Sequence, residues 1–145
     1  MTGQNDFLGK GWSFPPEFVK GKKYSNGEVV MVAGRDDIEQ SLGILLRTSL
    51  GERVMLPEYG CNMSDYQFDP MNSAMLGFVK DMIYNAILYF EPRIKVEKLE
   101  VGSPDTMDAL EGRLLIQLDY TIIGSNSRFN FVFDYYVNES ATKIA

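Results

Sequence analysis

The chain has 145 residues, which suits one domain with its own hydrophobic core. Its formal net charge is −6, and this argues against a protein that binds nucleic acid or an anionic membrane surface through excess basic charge. The sequence contains no histidine, which excludes Ser-His-Asp and Cys-His catalysis. Cys61 is the single cysteine, so an internal disulfide is excluded and a zinc site would have to combine one thiol with carboxylates. We therefore expect neither a metal nor a cofactor.

The sequence carries no targeting or membrane signal. No apolar run approaches the roughly 18 residues of a membrane-spanning helix. The N-terminus lacks a basic stretch followed by an apolar block, which is the pattern of a signal peptide. Together with the single cysteine, this indicates a protein that is made and kept in a reducing compartment, so we expect a cytoplasmic location and no membrane insertion.

Residues 1–28 show no regular period but hold several aromatic residues among glycines and prolines. We interpret them as an N-terminal aromatic arm, because a disordered tail rarely carries so many rings. Two interpretations remain open. The rings of Phe7, Trp12 and Phe14 lie on the domain's own surface, or the arm becomes ordered on a partner protein and these rings are its anchors.

Residues 28–32 predict a short strand, and residues 36–49 predict a helix. Asp36 is a suitable N-cap, and Glu39 stands three residues later, as in a capping box. Gly51 provides the stop signal. The connection that follows runs from Gly51 to Asp69, a length that is often functional in compact domains.

Asp69-Pro70 predicts the start of a second helix, and Pro92 predicts its end near Phe90. The apolar stripe of this helix is wide, which favours burial on more than one side, by the core alone or by the core and a partner. Three strands follow at Ile94–Val101, with a bulge near Lys98, and then at 113–122 and 129–137. The last two predict a long antiparallel hairpin.

The sequence thus predicts an α+β fold with two amphipathic helices packed on one face of a small, mainly antiparallel sheet. We expect a single domain over residues 29–138 and a frayed tail over residues 139–145. Such a sheet has two edges, and an exposed edge can accept a strand from another protein. The candidate edges are the strand from Ile94, the final hairpin strand and the short strand at Val29.

Four stretches together resemble the baseplate-wedge family of contractile injection machines, some members of which are described as lysozyme-like. They are FLGKGWSFP (7–15), GERVMLPEYG (51–60), EPRI (91–94) and FDYY (133–136). The resemblance covers nearly the whole chain, and the order of the motifs makes it specific. The chain departs from the opening motif at Lys10, where the family pattern has arginine.

The resemblance implies a structural baseplate subunit of a contractile phage tail, a phage-tail-like particle or a type VI secretion system, and no enzyme. It implies contact of Glu91, Pro92 and Arg93 with the core bundle of the wedge. By position, Glu52, Arg53, Glu58 and Tyr59 belong to the same interface. It also implies that the contractile sheath subunit adds strands to the sheet, for which the candidate residues are Phe129, Phe131, Phe133 and Tyr135. The expected partners are other wedge proteins, the sheath subunit and inner tube or hub proteins.

Two other functions would also use features of this sequence. A peptidoglycan-cleaving glycoside hydrolase would need two carboxylates across a cleft, and Glu52, Glu58 and Glu91 are the candidates. A scaffold domain unrelated to injection machines would share the exposed edge but not the motifs. If Arg93 is a surface charge, Arg93→Ala leaves the fold intact, whereas Phe131→Ala is costly if that ring is buried.

Overall fold

The computed structural model describes residues 6–20, 27–66, 72–103 and 112–136. The chain divides into two compact units, Met1–Leu42 and Gly43–Ala145, and the division falls within the first α-helix. Neither of the two α-helices in the described ranges is long and apolar enough to cross a lipid bilayer.

The first unit contains an antiparallel ribbon that is built from two short pairs of strands. Strand β1 (Lys10–Trp12) pairs with β4 (Met31–Ala33), and β2 (Phe18–Val19) pairs with β3 (Glu28–Val29). The strand predicted over residues 28–32 is interrupted at Val30. The N–H of Val30 donates to the carbonyl of Glu17, and its own carbonyl accepts from the N–H of Ser13, both at 2.9 Å.

The aromatic residues of the ribbon and of the 3-10 turn before it (Asp6–Leu8) are mostly exposed. The exposed fractions are 60% for Phe7, 62% for Trp12 and 53% for Phe14. The ring of Trp12 meets that of Phe18 edge-on at 6.5 Å. These rings therefore remain largely open to solvent in this chain.

Helix α1 (Gly34–Arg47) begins two residues before the predicted cap, Asp36. Its apolar side chains Ile38, Leu42, Leu45 and Leu46 are all buried. Helix α2 (Ser73–Phe90) begins after Asn72, whose side chain accepts a hydrogen bond from the N–H of Met75 at 2.9 Å. The predicted start at Asp69-Pro70 lies outside the described residues. The helix ends at Phe90, as Pro92 predicts.

The second unit holds a three-stranded antiparallel sheet in the order β5-β6-β7, formed by β5 (Ile94–Gly102), β6 (Arg113–Ile122) and β7 (Ser127–Tyr136). The predicted bulge is present, because the pairing of β5 with β6 shifts register between Val96 and Lys98. Strands β6 and β7 pair without a shift and form the predicted hairpin. The edges of this sheet are β5 and β7, while Val29 belongs to the ribbon of the first unit.

The core of the second unit lies between α2 and one face of this sheet. The helix contributes Met75, Val79, Ile83, Ala86 and Ile87. The sheet contributes alternate residues of its strands, namely Ile94, Leu99, Leu114, Ile116, Leu118, Tyr120, Ile122 and Phe133. This alternation is the period of a half-buried strand. The α+β class is therefore confirmed, with two helices and small antiparallel sheets.

Candidate functional site

The corner between α2 and β5 is fixed by backbone hydrogen bonds on both sides of Pro92. The N–H of Glu91 donates to the carbonyl of Ile87 at 2.9 Å and closes the last turn of α2. The carbonyl of Arg93 accepts from the N–H of Ile123, also at 2.9 Å, which ties the corner to the turn after β6. The corner is therefore a rigid part of the second unit.

Glu91 and Arg93 form a bidentate ion pair within the corner. The Nε of Arg93 lies 2.6 Å from Oε1 of Glu91, and its Nη2 lies 2.9 Å from Oε2. The side chain of Glu91 is 2% exposed, while that of Arg93 is 25% exposed. Because a buried carboxylate requires such a partner, the guanidinium of Arg93 first stabilises the fold of the chain itself.

The loop Gly51–Gly60 packs onto this corner. The ring of Tyr59 meets that of Phe90 edge-on at 5.1 Å, and the guanidinium of Arg53 lies 4.2 Å above the ring of Tyr59. Burial raises the pKa of the Tyr59 hydroxyl above its ordinary value. The positive charge of Arg53 opposes this rise in pKa, and the negative charge of Glu91 adds to it. We call Arg53, Tyr59, Phe90, Glu91 and Arg93 the corner cluster. The structure thus brings residues of two separate sequence motifs together.

The same loop is closed by hydrogen bonds of its own. The N–H of Gly51 donates to the carbonyl of Pro57 at 2.8 Å, and that of Tyr59 donates to the carbonyl of Leu56 at 3.1 Å. Glu52 turns back and accepts from the N–H of Ser49 at 2.9 Å. One carboxylate predicted to face a partner is therefore engaged in shaping the loop.

Gly60 holds the end of the loop against the residues that follow α1. Its φ is +124°, and a Cβ there would lie 2.3 Å from the carbonyl oxygen of Thr48. That carbonyl also accepts a hydrogen bond from the N–H of Cys61 at 2.8 Å. Only glycine combines this backbone angle with so close an approach, so the loop has a fixed anchor.

The tip of the loop presents apolar side chains to solvent. Val54 is 91% exposed, Met55 is 94% exposed and Leu56 is 42% exposed. Glu58 is exposed beside them. Sequence reasoning singled out the charged and aromatic residues of this loop and missed Val54 and Met55. The available signal was a valine and a methionine in a loop of functional length.

An apolar groove of about 360 Å³ opens beside the corner. Exposed Pro92 lines it, together with Leu88 of α2, Ile94 and Val96 of β5, and Ile123. The sequence did not indicate this groove, since its walls come from three separate segments. Pro92 therefore faces an apolar surface, while its two charged neighbours pair with each other.

The four residues predicted to bind the sheath share one face of β7. They stand opposite buried residues of β6, for example Phe133 opposite Ile116 and Phe131 opposite Leu118. Phe133 is 5% exposed, and the guanidinium of Arg47 lies 5.1 Å above its ring. Phe129, Phe131 and Tyr135 are only half-buried. Three of the four rings on this face of β7 are thus only partly covered.

Comparison with known sequences places the chain among baseplate proteins. Residues 32–127 match the profile of the baseplate wedge protein gp25 family. The chain is 32% identical to baseplate protein W of Escherichia phage P2 over 60% of its own length and 71% of that protein. It is 31% identical to baseplate wedge protein gp25 of Enterobacteria phage T4, over 68% of this chain and 71% of that protein.

Solved structures show the same fold. A Geobacter sulfurreducens protein proposed to be a tail lysozyme matches 77% of this chain and 98% of its own, with 38% identity and a TM-score of 0.68. A chain of the anti-feeding prophage baseplate matches 95% of this chain and 93% of its own, with 26% identity and a TM-score of 0.63. A chain of a type VI secretion baseplate complex, at 17% identity and a TM-score of 0.56, matches 70% of this chain and 92% of its own and shows the fold alone.

Proposed function

Because the chain belongs to the baseplate wedge protein gp25 family, we propose that it is a structural subunit that joins the wedge and starts the contractile sheath. It joins the wedge through the corner cluster and the adjacent loop, and it accepts a strand from the sheath subunit at the free edge of β7. Assembly takes place in the cytoplasm, with other wedge proteins, the sheath subunit and inner tube or hub proteins as partners. The observation that carries the sheath role is the difference between the two edges of the sheet.

The β5 edge is unsuited to strand addition. It contains the register shift between Val96 and Lys98, and its exposed side chains form ion pairs along the strand, with Lys98 and Glu100 at 2.8 Å. Bulges and charged side chains are the usual means by which proteins block an edge. A partner strand would have to follow an irregular, charged backbone here.

The β7 edge is suited to strand addition. β7 pairs with β6 over ten consecutive residues without a register shift. Among the described residues no strand covers its other side, and the half-buried rings of Phe129, Phe131 and Tyr135 lie along it. A strand added there would extend the ladder and bury more of these rings, so backbone pairing and apolar burial favour the same edge.

Sheath assembly with and without this chain tests the proposal. The sheath subunit is co-expressed with the remaining baseplate proteins, and baseplates that carry a sheath are counted by negative-stain electron microscopy. We expect sheathed baseplates only when the chain is present. Equal numbers in both samples would remove the initiator role.

Variants at the two edges then locate the contact. Val132→Lys places a charge on β7 at a side chain that is 50% exposed, so it blunts the edge without disturbing the core. Glu100→Lys is the matched change on β5. We expect the first to reduce sheathed baseplates severalfold and the second to leave them unchanged.

The likeness to a protein proposed to be a tail lysozyme raises glycoside hydrolysis as a second function. The geometry disfavours it, because Glu91 is buried against Arg93 and Glu52 accepts from the N–H of Ser49. The Glu91 carboxylate is therefore not presented to a substrate and the Glu52 carboxylate is held by the backbone, while Glu58, the third candidate, is exposed. We propose that the chain is not an enzyme. Muramidase activity that survives purification and is lost in Glu91→Gln would overturn this.

A further inference from the structure

We propose that Val54 and Met55 form a preformed apolar knob that inserts into an apolar socket on a neighbouring wedge protein. This inference rests on the proposed function and names the side chains through which the loop Gly51–Gly60 makes its contact. The polar residues of the loop, which the sequence motif brings forward, then serve mainly to hold the knob in place.

The first support is that the apolar side chains at the tip are exposed although the backbone of the loop is well ordered. Single exposed apolar side chains are common on protein surfaces. Here two adjacent ones are more than 90% exposed at the tip of a loop whose backbone is closed by three internal hydrogen bonds, donated by Gly51, Leu56 and Tyr59. A fourth, donated by Glu52 to the carbonyl of Ser49, ties the loop to the residues before it. A loop built in this way loses little conformational entropy when it binds, so its apolar tip is ready for insertion.

The second support is the way in which the polar residues of the loop are used. Glu52 accepts from the N–H of Ser49, and Arg53 lies over the ring of Tyr59, which itself packs on Phe90. These contacts point back into the chain and brace the base of the loop. Val54 and Met55 are left as the most exposed of its large apolar side chains.

The chemistry of the tip identifies a protein as the partner. Val54 and Met55 stand between Glu52 and Glu58, and the chain carries a net charge of −6, which disfavours an anionic lipid surface. Methionine has a flexible thioether that adapts to an irregular pocket, while valine supplies a stiff, compact group. The partner site that fits this pair is a small apolar pocket, and burial of apolar surface depends little on ionic strength.

The test is binding of the purified chain to an immobilised subcomplex of the other wedge proteins, at low and high salt. The double variant Val54→Ser/Met55→Ser should raise the dissociation constant by about tenfold or more. Its thermal unfolding should match that of the parent chain, since both side chains are exposed. Raising the salt concentration should change the affinity of the parent chain less than twofold.

Two control variants separate the knob from other causes. Glu100→Gln removes an exposed charge on β5, and Phe78→Ser removes an apolar side chain that is 64% exposed on α2. Both should bind like the parent chain. Equal affinity of the double variant and the parent would overturn the inference. A tenfold loss of affinity in either control variant, or in the parent chain at high salt, would also overturn it. A parent chain that fails to bind the subcomplex would instead overturn the proposed wedge role.

Discussion

At the scale of single residues, the Glu91–Arg93 pair decides how the corner motif works. Glu91 is nearly fully buried, and both of its oxygens accept from Arg93 at 2.6 and 2.9 Å. A carboxylate in such a place is tolerated because its charge is matched at once by a planar donor. The motif therefore acts first on the fold.

Arg93→Ala is expected to lower the free energy of unfolding by about 3 kcal/mol, the lower end of the range for a broken buried ion pair, because the arginine side chain is a quarter exposed. This replaces the sequence-based expectation of a neutral surface change. Urea denaturation measures it. The double variant Glu91→Gln/Arg93→Met, which removes both charges, should recover part of the loss. An Arg93→Ala protein as stable as the parent would show that the pair contributes little.

The position of the corner could be predicted from the sequence, but its internal contacts could not. Pro92 marks the end of α2, and this is where the helix ends. The bidentate pairing of residues 91 and 93 requires the geometry of the corner itself. The packing of Tyr59 on Phe90 joins residues 31 positions apart, and no local pattern contains that contact.

At the scale of secondary-structure elements, strand β7 shows what alternation predicts and what it leaves open. The aromatic residues of this strand stand at alternate positions and therefore share one face, on which Phe133 pairs with Ile116 and Phe131 with Leu118. The degree of burial along that face depends on neighbours outside the strand. Phe133 is covered, with Arg47 over its ring, while Phe131 is half-buried at the free edge.

Phe133→Ala is therefore expected to cost about 3 to 5 kcal/mol, the usual range for a buried phenylalanine in a core. Phe131→Ala is expected to cost less than half of that, because its ring is only partly removed from water. This reverses the emphasis of the sequence-based expectation, which placed the large effect at Phe131. Denaturant midpoints of the two variants, compared at equal slope, measure the difference. Equal losses would mean that the edge ring is as well packed as the inner one.

Helix α2 shows the opposite limit of sequence patterns. Its apolar stripe predicted burial on more than one side, yet Phe78, Leu88 and Tyr89 are 64%, 60% and 78% exposed. Periodicity reports which residues are apolar, and it does not report whether the cover comes from the same chain. The buried side could therefore be predicted, whereas the exposure of Phe78, Leu88 and Tyr89 could not, because it depends on which elements the fold places beside the helix.

At the scale of the whole molecule, the strand pairing in the ribbon of the first unit is the feature that is hardest to predict from sequence patterns. Residues 10–19 pair with residues 28–33, and this pairing lies across the boundary that composition suggests at residue 28. Strands of two or three residues carry too few alternating positions to be read as strands. Periodicity therefore does not predict these strands. The motifs in the same residues still contribute to identifying the family, because their order along the chain is specific.

The stability of the whole molecule should fall as the pH rises above 9. Burial raises the pKa of the Cys61 thiol from its ordinary value of 9.0 to about 12, and burial also raises that of Tyr59. Both groups are neutral in the folded protein while the unfolded chain already releases their protons. The unfolded state therefore binds fewer protons than the folded state in this range, so the free energy of unfolding decreases with pH. Below pH 9 the contribution of Cys61 is fully present.

Urea denaturation between pH 8 and 11 measures this decline, to which Cys61 contributes at most about 4 kcal/mol once the pH reaches 12. Cys61→Ala is the matched control. It should be less stable than the parent at pH 7, because the thiol is buried, but its stability should fall less steeply above pH 9. Tyr59→Phe should flatten the curve further at the alkaline end. Parallel curves for the parent and Cys61→Ala would show that the thiol is open to solvent and that the alkaline loss comes from other groups.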